Sequence, residues 1–393
     1  VEIRELTRDD AMASTAMSRN AFGGSLDLSF FTLGAGITRW GLFDGADLVA
    51  KANDRHYDSL IGGRPVPTAG VGGVVVTPET HGRGSARTVM THLLHRARER
   101  GAVISTLFRT VPALYRSLGY EQVTERVDGA LPSAALRGMR VPAGITLRRA
   151  TVADAPAVRQ VYDDIAAQGS CWLDRRPPLF PRGTAADADL ISAVHGTTLA
   201  VDDAGTVQGY VRWTRGDGVG TGAVLTASEL LSRTASGTAG LLAALASFDA
   251  VTPEIHLRTT GTDPVFWAVP GYGWRVEKVE PYLLRVIDLA GAVAARGWPV
   301  GVSGALELTV TDPLCPWNSG DHRLVIEGGR GRLEPGDGSG VSVTVNGSAV
   351  LIAGSIGAAA LRRGGMVAGG GAEHDAVLDV LTAGPRPGIL DFF

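Results

Sequence analysis

The chain has 393 residues and a formal net charge of −3, with 45% hydrophobic and 20% charged side chains. That length is enough for two or three separate cores, and its acids and bases are interspersed, without the basic stripe that nucleic acid requires. No apolar run reaches about 18 residues, so no helix is expected to span a membrane, and Cys171 and Cys315, with no leader sequence in view, are expected to be free thiols of a cytoplasmic protein.

Glu2-Ile3-Arg4 reads as a short strand, and Thr7-x-x-Asp10 as the capping signal of the helix that follows. Gly41 to Ala50 holds an apolar strand, an Asp/Gly turn and another strand. Val74-Val75-Val76-Thr77-Pro78 is β-branched and stops at a proline, as a strand does. His81-Gly82-Arg83-Gly84-Ser85-Ala86 then turns, and Val89, Met90, Leu93, Leu94 and Ala97 recur three and four apart on one helical face. Arg98 and Arg100 before Gly101 end that helix, cations at the negative end of the dipole followed by a C′ glycine.

Strand, glycine loop and helix start, in that order, make a cradle for a diphosphate. First-turn N–H groups have no intrahelical partner, and an anion reaches them only where no Cβ blocks the way. Gly82 and Gly84 leave that opening, and Arg83 and Arg87 add charge. No Gly-Lys-Ser/Thr follows, which argues against a P-loop, and no Gly-x-Gly-x-x-Gly with a downstream acid is present, which argues against a dinucleotide fold. His92 and His95 lack the neighbouring Glu or Cys of a zinc site, so no metal is expected.

A second apolar strand runs from Ala102 to Phe108, and Pro112 to Gly119 reads as a short helix with proline at its first turn and glycine at C′. The opening pattern then repeats, as Thr146-Leu147-Arg148 followed by Thr151-x-x-Asp154, with another strand pair from Thr198 to Trp213. Where the second copy would carry its loop stands Val224 to Arg233, without glycine and with Glu229 at the expected point of approach; such a helix start would repel a diphosphate. Gly271-Tyr272-Gly273-Trp274 echoes Gly119-Tyr120. From about Leu289 the composition changes: Leu306 to Val310, His322 to Glu327 and Val341 to Val345 read as antiparallel strands, and Val350 to Arg362 and Glu373 to Leu381 as helices.

Gly84, Ala86, Tyr115, Gly119 and Tyr120 match the signature of the GNAT acyl-CoA N-acyltransferases, with His81 in the usual Arg/Gln place. The whole layout resembles the enhanced intracellular survival acetyltransferases within that family. The resemblance implies α/β and α+β architecture: tandem GNAT domains, the first active over 1–142 and the second degenerate over 143–288, then a sterol carrier protein 2-like α+β domain over 289–393. It implies acetyl-CoA as acyl donor, held by Val74, Val75, Val76, Gly82, Arg83, Gly84, Ser85, Ala86, Arg87, Thr110 and Val111. Aminoglycosides or lysine side chains are the acceptors it suggests, a small-molecule or peptide amine in any case, and a homohexamer is the expected assembly. Mild overall acidity would suit cationic acceptors. The alternatives are a mycothiol-synthase-like or peptide-directed acyltransferase, or a non-catalytic acyl-CoA or lipid-binding protein. The residues shaping the acceptor pocket are expected within Phe22 to Trp40 and in the second domain.

The resemblance also assigns the chemistry. An acceptor amine with a pKa of about 10 must lose a proton, and a leaving thiolate with a pKa of about 8.5 must gain one. Tyr115 is the proton donor that the resemblance implies, and the main-chain carboxylate of Phe393 the base; the apolar segment Gly388-Ile389-Leu390-Asp391-Phe392-Phe393 by itself suggests only a tail inserted into protein. Edge amides of Val74 to Val76 are expected to polarise the thioester carbonyl.

Overall fold

The structure is a computed structural model that describes residues 1–23, 35–220, 222–354 and 356–393. The first copy of the repeat contains β1 (Glu2–Glu5), α1 (Ala11–Phe22), β2 (Ile37–Asp44), β3 (Asp47–Ile61), β4 (Arg64–Val76), α2 (Ser85–Glu99), β5 (Ile104–Phe108), α3 (Pro112–Ser117) and β6 (Glu121–Pro132). The second contains β7 (Ile145–Arg149), α4 (Ala155–Ala166), β8 (Trp172–Leu173), α5 (Thr184–Ser192), β9 (Gly196–Asp202) and β10 (Val207–Arg215). It continues with β11 (Val224–Ser232), α6 (Ala235–Ala246), β12 (Glu254–Thr259), α7 (Val265–Ala268) and β13 (Arg275–Val286).

The repeat seen in the sequence is a repeat in space. Arg4 pairs both guanidinium nitrogens with Asp10, each at 2.8 Å, and Arg148 does the same with Asp154 at 2.8 and 2.6 Å. In both copies the aspartate also accepts from the threonine N–H three residues earlier, at 2.8 Å. The arginine partner holds each aspartyl carboxyl far below the usual carboxylate range.

One continuous sheet joins the copies, in the order β1-β2-β3-β4-β5-β13-β6-β12-β11-β10-β9-β7, with β8 pairing on β3. At its centre the copies exchange strands. β13, which lies in the second copy by sequence, pairs antiparallel with β5 of the first (Tyr282↔Phe108 to Val286↔Ile104). β6 pairs in turn with β12 of the second (Glu254↔Pro132 to Thr259↔Val127). The 143–288 segment therefore supplies a strand to the sheet of the first domain.

The residues spaced for a helical face in α2, Val89, Met90, Leu93, Leu94 and Ala97, are all 0% exposed against this sheet. Burying each of the larger ones contributes about 1.5–3 kcal/mol, so the amphipathic spacing decides which way the helix faces. The second copy departs from the sequence reading. Val224–Ser232 is strand, not loop and helix start, because its apolar residues alternate (Leu225, Ala227 and Leu231 buried), a period of two. The helix that follows, α6, starts after Thr234, whose hydroxyl accepts from the Gly237 N–H, so its first turn is capped by its own side chain.

The third unit contains α8 (Leu289–Ala295), β14 (Gly304–Thr311), β15 (Gly320–Glu327), β16 (Arg330–Pro335), β17 (Val341–Thr344), α9 (Val345–Ala353), α10 (Ala358–Arg363), β18 (Val367–Ala368) and α11 (Ala372–Thr382). Its sheet runs β16-β15-β14-β17-β18. The single helix expected from Val350 to Arg362 is two, parted after Gly354 at φ +87°. Arg285 of β13 and Asp312, both 0% exposed, pair at 2.7 Å and bind this unit to the sheet. The same guanidinium donates to the Leu118 carbonyl at 2.8 Å and so fixes the end of α3.

Candidate active site

β4 and β5 run parallel only over Thr68↔Ile104 to Gly70↔Thr106, then separate. Opposite β3 the register of β4 slips by one residue between Lys51↔Val75 and Asn53↔Gly72, a bulge that interrupts the ladder and frees backbone groups. Two cavities fill the opening. The larger, about 680 Å³, runs from the glycine loop along Val74, Val75 and Val76 to Thr110, Val111 and Tyr115. The smaller, about 540 Å³, lies on the other side of the bulge, and Val74, Thr110 and Tyr115 border both.

The larger cavity is lined by Gly82, Gly84, Ser85, Ala86 and Arg87, with His81 beside them. Gly82 and Gly84 have φ of +76° and +81°, and a Cβ on either would meet nothing within 4 Å. These glycines serve backbone conformation and open access, not tight packing. Gly84 caps α2 without a side chain, leaving the first-turn amides free for an anion. Arg87 donates to the Ser117 carbonyl at 3.2 Å, which ties the helix start to α3. The His81 ring lies 3.2 Å from the Val76 carbonyl oxygen. Arg83 is exposed and does not line the cavity, so of the expected cofactor residues it alone is left outside. A cradle open to backbone amides at one end and a long trough at the other fits a diphosphate joined to an extended arm, which is the shape of acetyl-CoA.

Tyr115 sits where the cavities meet, 4% exposed on α3. Burial raises its hydroxyl above the ordinary tyrosine pKa, with a hydrogen bond from Thr110 opposing, so it stays protonated at neutral pH. Its ring stacks edge-on with Tyr120, centroids 6.0 Å apart.

The smaller cavity is built by side chains that the sequence reading passed over. Lys51, Asn53 and Arg55 line it, and with Tyr57, which lies outside the lining, they alternate along β3 and therefore share one face. Room for them comes from glycines on β4. A Cβ on Gly70 would lie 2.3 Å from the Tyr57 ring, and one on Gly72 would lie 2.1 Å from Arg55 Nη1. A polar residue at every second position of a strand, facing a glycine-rich neighbour, is the signal that could have found them. Of the Phe22 to Trp40 stretch, Phe22, Gly23 and Arg39 line the cavity, and positions 24–34 lie outside the described residues.

The C-terminal segment enters from the far side. Gly388 N donates to the Ser170 carbonyl at 2.9 Å, and Thr124 donates to the Pro387 carbonyl at 2.9 Å. Ile389 and Leu390 are buried, at 0% and 3% exposure. Asp391 accepts from Arg175 Nε at 3.0 and 3.3 Å and from the Tyr162 hydroxyl at 3.0 Å. Arg175 also donates to both oxygens of Glu229, at 3.2 and 2.6 Å, and Tyr210 donates to the same carboxylate. Glu229 is thus a buried strand residue that anchors the tail through Arg175. Burial works against its charge, but Arg175 holds its carboxyl below the ordinary value. Past this anchor, the Phe393 ring packs edge-on against Tyr57 (5.5 Å) and Phe108 (5.6 Å), and Phe392 lies 4.7 Å from Phe108. Both terminal residues line the smaller cavity.

His92 packs on Trp40, and His95 lies 2.9 Å from the Leu314 carbonyl oxygen and against Trp317. Among the described residues, no three His, Cys, Asp or Glu side chains are grouped as a metal site. No helix of the described residues is long and apolar enough to cross a membrane. Both cysteines are free and buried.

Known proteins share the fold and the domain order. Residues 2–123 match the acetyltransferase (GNAT) domain, and residues 289–389 the sterol carrier protein domain. An uncharacterized N-acetyltransferase of Streptomyces avermitilis is 27% identical over 348 residues, 83% of each chain. The crystal structure of a GCN5-related N-acetyltransferase from Kribbella flavida is 28% identical and superposes with a TM-score of 0.84, over 100% of this chain and 98% of that one. Eis1 from Mycobacterium abscessus, 21% identical, shares the fold over 100% of both chains with a TM-score of 0.80. The chain is an acyltransferase enzyme with the GNAT fold, in which an acetyltransferase (GNAT) domain is followed by a second GNAT-like copy and a sterol carrier protein domain.

Proposed function

We propose that the protein transfers an acetyl group from acetyl-CoA to an amine, as the enhanced intracellular survival acetyltransferases do. The observation that carries this reading is the meeting of two cavities at one buried, protonated tyrosine. Bound acetyl-CoA supplies an activated thioester. Gly82, Gly84 and the amides of Ser85, Ala86 and Arg87 hold its diphosphate, while Val74 to Val76 run beside its arm. The bulge in β4 turns backbone N–H groups toward the thioester carbonyl, where a developing oxyanion needs donors. Tyr115 gives its proton to the departing sulfur.

The amine must lose a proton, and among the described residues lining the smaller cavity there is no Asp, Glu or His side chain. The base in this reading is the main-chain carboxylate of Phe393, taken as the last residue of the mature chain, which the mass of the C-terminal peptide checks. Its intrinsic pKa of about 3.5 makes it a weak base, so its contribution is position: it stands beside the attacking nitrogen, directly or through one water.

The test is chemical. Semisynthetic amidation of Phe393 removes the charge and keeps the shape. Acetyl-CoA binding is expected to persist while thiol release in the presence of an accepted amine falls at least 10²-fold, roughly the contribution of a positioned base. Full activity of the amidated protein would show that the tail only packs.

A further inference from the structure

The cavity on the acceptor side is cationic. Arg19, Arg39, Lys51 and Arg55 line it, and among the described lining residues no carboxylate side chain answers Arg19, Lys51 or Arg55. This is the opposite sign from the chain as a whole, which carries −3, and from what a polycationic acceptor would need. Arg55 is the most telling of these three. It is 9% exposed, and its Nη1 is sealed from solvent with no hydrogen-bond partner. It enters no ion pair within the described residues. Its contact is with the Phe393 ring, 5.5 Å from guanidinium carbon to centroid. Burial lowers its pKa, as it does for a cation held out of water. Lys51, 3% exposed, gives its three protons to neutral groups, the carbonyl and hydroxyl of Ser14 (2.6 and 2.9 Å) and the hydroxyl of Ser18 (2.5 Å).

Burying an unpaired guanidinium is costly, and folds rarely keep one without a partner. The cost has a use if the partner arrives with the substrate. A guanidinium presents a planar fork that matches the oxygens of a carboxylate or a phosphate. Gly72 keeps that fork in place, since a side chain there would occupy the position of Nη1.

We propose that the acceptor is an amine that also carries an anionic group, a carboxylate or a phosphate, which Arg55 binds in the field of Lys51 while the amine faces Tyr115 and the tail. This rests on the acetyl-transfer reading above and specifies its substrate class. One carboxylate at Phe393 could answer at most one of the two buried cations Lys51 and Arg55, so the tail does not account for the pair.

The experiment compares paired acceptors whose charge lies far from the amine: 6-aminohexanoate against 6-aminohexanamide, and glucosamine 6-phosphate against glucosamine. A polycationic aminoglycoside, kanamycin, is the third arm. Thiol release is followed with acetyl-CoA in excess and corrected for release without acceptor. We expect kcat/KM to favour the anionic member of at least one pair by about 10- to 150-fold, the worth of one hydrogen-bonded charge pair. The pair that shows the preference identifies carboxylate or phosphate. Arg55→Gln should bring the ratio toward one, Arg55→Lys should keep part of it, and Gly72→Ala should lower it by displacing the guanidinium with its charge intact. Calorimetric binding of acetyl-CoA to each variant reports folding independently of activity. Equal turnover within both pairs, or preference for kanamycin, would overturn the acceptor class and leave acetyl transfer standing. No acceptor-dependent release from any member, with acetyl-CoA bound, would overturn the transferase reading and the acceptor class with it.

Discussion

Asp391→Asn tests whether the second copy of the fold now serves as the socket for the tail. The native carboxylate takes both of its oxygens to Arg175 Nε and one to Tyr162. Asparagine keeps the shape and the tyrosine bond but gives up the ionic pair, while Arg175 retains Glu229. The loss is therefore that of one charged hydrogen-bond pair, about 1.5–3 kcal/mol, and not the larger penalty of stranding a buried charge. Ile389 and Leu390 remain buried, so the tail should stay docked most of the time but open more often. At 1.36 kcal/mol per decade, opening of the segment should become roughly 10- to 150-fold more frequent. Hydrogen–deuterium exchange of the peptide covering 386–393 measures this directly, with the peptide covering α2 as an internal reference. Unchanged exchange at the tail, or equal acceleration in both peptides, would refute the anchoring role.

Gly84→Glu places a side chain and a negative charge in the open cradle and should abolish acetyl-CoA binding by calorimetry, whereas Ser236→Glu in the first turn of α6 should leave it unchanged. Tyr115→Phe should lower kcat by about 10²–10⁴-fold with little change in the apparent acetyl-CoA constant; a loss confined to thermal stability would make it a packing residue. Burial, with Arg39 adding to it, pushes the Lys51 ammonium down to about 8. Lys51 is therefore charged below that pH and neutral above it, and the preference for an anionic acceptor over its uncharged partner should decline as pH rises through 8. A ratio that holds constant from pH 7 to 9.5 would remove Lys51 from acceptor binding.

The cofactor side was legible because two local rules pointed the same way: Gly82 and Gly84 opened a loop, and Val89 to Ala97 kept strict helical spacing. The acceptor side was not. Lys51-Ala52-Asn53-Asp54-Arg55-His56-Tyr57 reads as a polar run, yet it is the middle of a buried strand whose polar residues answer either the cavity or one another. Asp54, for example, lies on the opposite face from Arg55 and pairs with Arg100 at 3.0 Å, while burial lifts its carboxyl to about 6. Hydropathy cannot distinguish a surface from a cavity that the protein itself encloses. The second-copy loop escapes the sequence for a related reason: Glu229 reads as the acid of a helix start, and its partner Arg175 lies 54 positions away. The place of β13 depends on pairing partners, which periodicity within one segment does not encode.

The exchange of β6 and β13 also has a temporal side. About 170 residues lie between the end of β5 at Phe108 and the start of β13 at Arg275, roughly 10–30 s of synthesis at about 5–20 residues per second. Throughout that interval the nascent N-terminal half presents β5 as an open edge, the kind of surface that recruits foreign strands. The edge closes only when the ribosome has delivered the late strand, and a gene fragment cut at residue 142 would lack that strand altogether.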